Sequence, residues 1–252
     1  MLRSLKDLER YTVSATDGDI GSVVNFLFDD EAWGVRHLIV DTTGYSNSRR
    51  VLISPRSFGR AAWATKHFYL ALNRLEISNS PSIDVDKPVS RQHESEYCQY
   101  YGYPGYWATH APAAPPVGNA GGAPFDVHLR SVNEVRGYHI QGSDGPTGHV
   151  EDFIVDDQTW EIRYFVIDTS SWWFGKKVLV APGWARSIDW LNQTVHVDLS
   201  RQAIKGCPEW KATEGVNRQY EVAMYDYYGR PVYWPSGLAE TSRANESTRM
   251  IS

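Results

Sequence analysis

Cysteine is nearly absent: only Cys98 and Cys207 among 252 residues. Two thiols build no disulfide framework, and a reducing cytoplasm is the simpler setting for them. Long hydrophobic runs are missing as well. No window approaches the roughly 18 apolar residues that cross a bilayer as a helix. The opening MLRSLKDLERY lacks the apolar stretch of a secretory signal. Nor is there a basic surplus. Lys and Arg number 25 against 30 Asp and Glu, a net charge of -5, which argues against a general nucleic-acid binder because phosphate contacts need a basic face. Catalytic signatures are lacking too. The chain has no HExxH, no Cys/His pair at zinc spacing, no GxSxG elbow around Ser54-Pro55 and no glycine-rich loop opening a helix after a strand.

Aromatic residues are plentiful: ten Trp, fifteen Tyr and eight Phe. Such side chains suit strands and tight small cores. With 42% hydrophobic and 22% charged residues the composition is that of a globular protein, long enough for one large domain or two small ones.

The second reading holds, because the chain is written twice. At one constant offset Leu2-Arg3-Ser4 meets Leu129-Arg130-Ser131, Asp17-Gly18 meets Asp144-Gly145, and Gly21 meets Gly148. Asp29-Asp30 meets Asp156-Asp157, Trp33 meets Trp160, Arg36 meets Arg163, and Asp41-Thr42 meets Asp168-Thr169. The register continues through Pro55 and Pro182, Trp63 and Trp190, Glu94 and Glu221, to Tyr106-Trp107 and Tyr233-Trp234. This is a tandem duplication of a unit of about 107 residues. The first unit spans 1–107 and the second 128–234. Between them, 108–127 is rich in Ala, Pro and Gly and reads as a linker. The polar, aperiodic 235–252 reads as a disordered tail.

Each unit predicts a short helix or turn over 4–10, capped by Ser4, and then strands over 11–15, 20–28, 34–41, 50–54 and 68–72. Gly18 suits a tight turn, 29–33 a hairpin connection, and 57–62 a short turn or helix. Several strands are apolar on both faces, as in a small closed or half-closed barrel. The barrels cover about 2–81 and 129–208. Helices follow over 90–101 and 217–228, stopped by Gly102 and Gly229. The fold class is all-β with short helices: two tandem small barrels, each followed by a helix and an aromatic extension.

Two strings carry a resemblance. Asp144-Gly145-Pro146-Thr147-Gly148, then Phe153, Asp156-Asp157, Trp160, Arg163, Val166-Ile167-Asp168-Thr169 and Lys177-Val178-Leu179-Val180-Ala181-Pro182 resemble the PRC-barrel family. The first copy is similar but looser, through Asp17-Gly18-Asp19-Ile20-Gly21, Phe28-Asp29-Asp30, Trp33, Arg36 and Val51-Leu52-Ile53-Ser54-Pro55. The resemblance implies a bacterial β-barrel of the kind found in the cytoplasmic part of the photosynthetic reaction-centre H subunit and at the end of a ribosome-maturation factor. It implies action through protein contacts, with no catalytic residue and no cofactor. The chain lacks the H subunit's membrane helix and the maturation factor's N-terminal domain.

The remaining candidates divide between structural and chemical roles. Asp29-Asp30 and Asp156-Asp157 offer oxygen ligands for a divalent ion, but Asp is favoured in hairpin turns for its own backbone bonds, which is the reading taken. Asp17-Gly18-Asp19 reads as a tight turn. The eight histidines occupy no shared repeat position and read as scattered surface or barrel-rim residues. Arg36 and Arg163 are expected to pair locally with strand carboxylates. Tyr100, Tyr101, Tyr103, Tyr106, Trp107, Tyr233 and Trp234 either pack on their own barrel or form a protein interface. Trp172, Trp173 and Phe174, opposite polar Tyr45-Ser46-Asn47, are further interface candidates.

The expectation is a non-enzymatic cytoplasmic adaptor, free or peripheral at the inner face of the membrane through a membrane-associated electron-transport complex. It has no catalytic residue, no metal and no direct nucleic-acid contact. The alternatives are a ribosome- or RNA-processing assembly adaptor and a divalent-metal-dependent enzyme. The two units either pair within the chain or assemble between chains.

Overall fold

A computed structural model describes residues 1–44, 49–81, 91–105, 129–169 and 175–235. The protein is mostly β, with two seven-stranded mixed sheets and a few short helices. In the first repeat, β1 (Leu2–Ser4) and α1 (Leu5–Leu8) precede β2 (Thr12–Ala15), β3 (Gly18–Asp29), β4 (Gly34–Asp41), β5 (Arg50–Ile53), β6 (Phe58–Ala62) and β7 (His67–Leu70). Helices α2 (Arg74–Ser78) and α3 (Arg91–Tyr101) follow. The second repeat runs through β8 (Leu129–Ser131), α4 (Val132–Val135), β9 (His139–Gly142), β10 (Gly145–Asp156), β11 (Ile162–Asp168), β12 (Lys177–Val180), β13 (Ala185–Asp189), β14 (Thr194–Val197), α5 (Arg201–Gly206) and α6 (Arg218–Tyr228).

The strand order is β5-β4-β3-β2-β7-β6 in one sheet and β12-β11-β10-β9-β14-β13 in the other. The β2–β7 and β9–β14 pairs are parallel, and the remaining pairs are antiparallel. Gly21 and Gly148 show why glycine stands in the long strands. A Cβ there would lie 2.0 Å from the Asp41 carbonyl oxygen and 2.2 Å from that of Asp168. Both are far inside van der Waals contact.

The two sheets are not separate. β1 of the first repeat pairs with β10 of the second, Arg3 opposite Val155. Reciprocally, β8 pairs with β3, Arg130 opposite Phe28. Each repeat therefore completes the other's sheet. The exchanged strands lead into capped helices: Ser4 Oγ accepts from the Asp7 amide at 3.0 Å, and Ser131 Oγ from the Glu134 amide at 3.2 Å. Each cap also engages the sheet it has joined. Ser4 donates to the buried carboxylate of Asp152, whose other oxygen accepts from the Lys6 amide at 3.0 Å. At the corresponding position Asn25 donates to Ser131 Oγ at 2.8 Å and accepts from the Asn133 amide at 3.2 Å. One continuous core runs through both repeats, including Phe26, Phe28, Phe68, Phe153, Tyr164 and Phe165. A smaller cluster of Leu27, Ile39, Leu52, Tyr97 and Leu129 lies under α3.

One expectation needs correction, and one strand goes unannounced in the sequence. Residues 57–62 are not a turn or helix throughout. A 3-10 turn over Pro55–Ser57, capped by Ser54, hands over to strand β6, which pairs with β7. Gly59 and Arg60 are exposed, so the edge strand lacks the apolar alternation that would announce it. Residues 2–4 form a strand, too short to show a period, whose partner lies in the other repeat.

Candidate functional site: a groove between the repeats

The hairpin tips build the junction. The Asp29 carboxylate accepts from the amides of Glu31 and Ala32 at 2.9 and 3.1 Å and from Arg36 at 2.9 Å. Burial pushes its pKa up, but those amides and the guanidinium outweigh it, leaving Asp29 below the usual carboxylate range. The turn puts Trp33 at φ 54°, and its counterpart Trp160 at φ 59°. Bulky residues rarely adopt this left-handed backbone, so the surroundings must hold it. They do, reciprocally. The Val35 amide donates to the Trp160 carbonyl at 2.8 Å, and the Ile162 amide to the Trp33 carbonyl at 2.7 Å. Each indole then packs across the junction: Trp33 edge-on to Phe165 at 5.2 Å, Trp160 edge-on to Phe58 at 5.2 Å.

The exchanged strands add a second clasp. Arg3 lies 3.7 Å over the Trp63 ring and pairs with Asp157 at 2.6 Å. Arg130 lies 4.0 Å over Trp190 and pairs with Asp30 at 2.9 Å. The shared acidic pairs are thus tied to turns and to this clasp. Asp17 likewise accepts from the Arg74 amide at 2.8 Å, and Asp144 from the Arg201 amide at 2.7 Å. Arg163 pairs with Glu161 at 2.6 Å. No group of three or more His, Cys, Asp or Glu positioned to hold a metal ion occurs among the described residues.

Beside the clasp in the first repeat lies a groove of about 700 Å³. Trp160 of the second repeat and Phe58 and Trp63 of the first supply its aromatic wall, and Arg36, Arg56 and Arg60 line it as well. Arg36 is paired with Asp29. Arg56 reaches the Pro104 carbonyl at 3.3 Å, and Arg60 lies over Tyr69 at 4.9 Å. Neither Arg56 nor Arg60 has a carboxylate partner among the described residues.

Deeper in the same wall, His37 Nε2 lies 3.1 Å from Glu94 Oε1, the histidine 3% exposed and the glutamate fully buried. This corrects the surface reading of His37. It sits on β4 under α3, edge-on to Tyr97 at 5.1 Å. A lone histidine in an apolar strand carries no sequence signal for such a partner, which arrives from a helix far along the chain.

The matching face of the second repeat is built differently. Tyr164 replaces His37 and donates to Glu221 Oε1 at 2.5 Å; burial, then the adjacent Glu221 charge, push its phenol far up. After α6, Tyr233 lies under Arg163 at 4.3 Å and donates to Glu221 at 3.0 Å. Trp234 lies under Arg218 at 3.9 Å and edge-on to Tyr225 at 5.2 Å, only 6% exposed. The corresponding groove holds about 320 Å³, with Asp30, Trp33, Arg186, Ser187 and Trp190 in its lining. Arg186 there pairs with Asp198.

The aromatic candidates separate accordingly. Trp234 packs inward. Tyr101 stacks on Tyr103 at 5.7 Å, and burial raises its phenol to about 12. Tyr103 shares a hydrogen bond with Ser57 at 3.0 Å and lines the groove. Tyr100 and Tyr233 are 41% and 38% exposed, although Tyr100 donates to the Glu76 carbonyl at 2.7 Å. Tyr106, Trp107, Trp172, Trp173 and Phe174 lie outside the described residues, as do the linker and the tail beyond Pro235. Cys98 lines the groove, while Cys207 is buried and its thiol pushed up to about 11 by that burial. Arg56 and Arg60 went unmarked in the sequence. Their signal is visible only by aligning the repeats, where Gly183 and Ser187 stand opposite them.

No protein-family model matches the chain. A protein of Deinococcus radiodurans described only as uncharacterized is 33% identical over 99 residues, covering 38% of this chain and 35% of that protein. The chain thus spans about a third of that relative's length. No helix among the described residues is long and apolar enough to cross a membrane.

Proposed function

We propose that each sheet, with its 3-10 turns, is a PRC-type barrel and that the chain is a non-enzymatic adaptor working through protein contacts. One observation carries this reading: the larger groove is walled by both repeats, Trp160 from one against Phe58 and Trp63 from the other. Such a surface exists only when the two units are joined, which gives the duplication a purpose in recognition. Aromatic rings with arginine between them are the side chains that dominate protein interfaces. The repeated carboxylates, by contrast, are engaged in turns and ion pairs.

The test is affinity capture of the tagged full chain at native expression, with membranes retained and partners identified by mass. A stoichiometric protein partner lost on Trp160→Ala supports the adaptor reading, provided circular dichroism shows that the variant is folded. Bait recovered without partner from soluble and membrane fractions alike overturns it.

A further inference from the structure

Resting on that adaptor reading, the two unequal grooves define the chemistry of what binds. The repeats share the clasp, the tryptophans and Arg36/Arg163, so the positions where their grooves differ stand out. Arg56 replaces Gly183, Arg60 replaces Ser187 and Phe58 replaces Ala185. These three replacements line the larger groove and add positive charge or apolar ring surface, while its Gly59 and Ala61 stand where the second groove has Arg186 and Ile188. The groove's acidic residue, Asp157, is already held by Arg3 and the N-terminal amine, both at 2.6 Å. Arg56 and Arg60 are exposed and lack carboxylate partners among the described residues. In the other groove the basic residue Arg186 is neutralised by Asp198. Among the described residues, a chain of net charge -5 therefore presents two guanidinium groups without a carboxylate partner beside a wall of Phe58, Trp63 and Trp160.

We propose that the first-repeat groove is a docking site for an acidic, aromatic-bearing peptide segment of a partner protein. Arg56 and Arg60 take its carboxylates in fork geometry, while its ring lies against Phe58 and Trp160. Charge complementarity selects this occupant: an apolar segment would leave both arginines unanswered. A nucleic acid would need many phosphates neutralised, and two arginines on an acidic chain do not supply that.

The probe is a hexapeptide alternating glutamate and phenylalanine, titrated calorimetrically into the full chain at low salt. Its glutamine–phenylalanine counterpart and an oligothymidylate serve as competitors. The variant is Arg56→Gly with Arg60→Ser, the residues the second repeat carries at these positions, so the backbone accepts both. The glutamate peptide is expected to bind about tenfold more tightly than the glutamine peptide, and the double variant to lose that advantage, as two charge contacts of modest strength give. Equal affinity for the two peptides, an unaffected double variant, or tighter binding of the oligothymidylate overturns the proposal. Repeating the affinity capture with the folded double variant separates the two readings. A partner retained by Arg56→Gly/Arg60→Ser but lost by Trp160→Ala leaves the adaptor standing and removes the acidic-segment docking. Absence of any partner with the wild type removes the adaptor itself.

Discussion

The two repeats share a scaffold and differ at one face. In the second, Tyr164, Glu221, Tyr233 and Arg163 close on one another, and Trp234 seals the edge. In the first, the same β4–α3 position holds a buried His37–Glu94 pair beside the larger groove, whose Arg56 and Arg60 have no carboxylate partner among the described residues; Tyr106 and Trp107, opposite Tyr233 and Trp234, lie outside those residues. The core and the clasp, which both copies need, kept the same residue types. The groove lining diverged, at Arg56, Phe58 and Arg60 among other positions.

Three measurements press on this comparison, starting from what should be alike. Gly21→Ala and Gly148→Ala each drive a methyl into a backbone carbonyl. Each is expected to cost at least about 3 kcal/mol, in the range of severe steric substitutions. Because the strands are exchanged, both should lower the same single transition in urea unfolding. Two separated transitions, one moved by each variant, would show that the repeats melt independently and break the equivalence drawn from the shared core.

The caps should be unequal. Ser4→Ala removes both a helix cap and a hydrogen bond to the buried Asp152 carboxylate, while Ser131→Ala removes a cap and a bond to neutral Asn25. The expected costs are about 2 and about 1 kcal/mol respectively, read as midpoint shifts at constant denaturant slope. Equal costs would mean that the Asp152 carboxylate gains nothing from Ser4.

The smallest effect concerns acid. Asp29 lies below its usual range in the folded state, so its stabilisation is present above the ordinary carboxylate range and is lost as pH falls through the lowered value. Asp29→Asn should lower the melting temperature near neutrality by a few degrees, for about 1 kcal/mol in a domain of this size. The deficit should shrink as pH falls below the ordinary carboxylate range and through the lowered value of Asp29. Asp152 runs the other way. Burial raises it despite Ser4, the Phe153 amide and Arg136, so its charge costs stability at neutral pH and that cost is relieved as pH falls.

Much of this was legible in the chain. Turn glycines, paired prolines and β-branched runs place most strands of each repeat, and Gly229 at φ 61° ends α6 where the sequence predicts a stop. The turn role of Asp29 and Asp156 was legible for the same reason, since aspartate bonds its own neighbouring amides, whereas Asp30 and Asp157 pair across the junction with Arg130 and Arg3. The groove was not. Arg56 and Arg60 look like ordinary surface residues until Trp160 arrives from the other repeat to wall them in. His37 looked superficial because its partner Glu94 comes from a helix after the strands.

The sequence by itself determined the duplication, the strand-rich fold class and the local turns, because repeats, periodicity and turn chemistry act between neighbours in the chain. Only the tertiary structure decided that β1 and β8 change places and that Trp33 and Trp160 cross the junction. A three-residue strand is too short for its own periodicity to select a partner. The choice falls to the contacts that long-range packing brings together: Asp152 and Asn25 at the caps, and the arginine–tryptophan clasps.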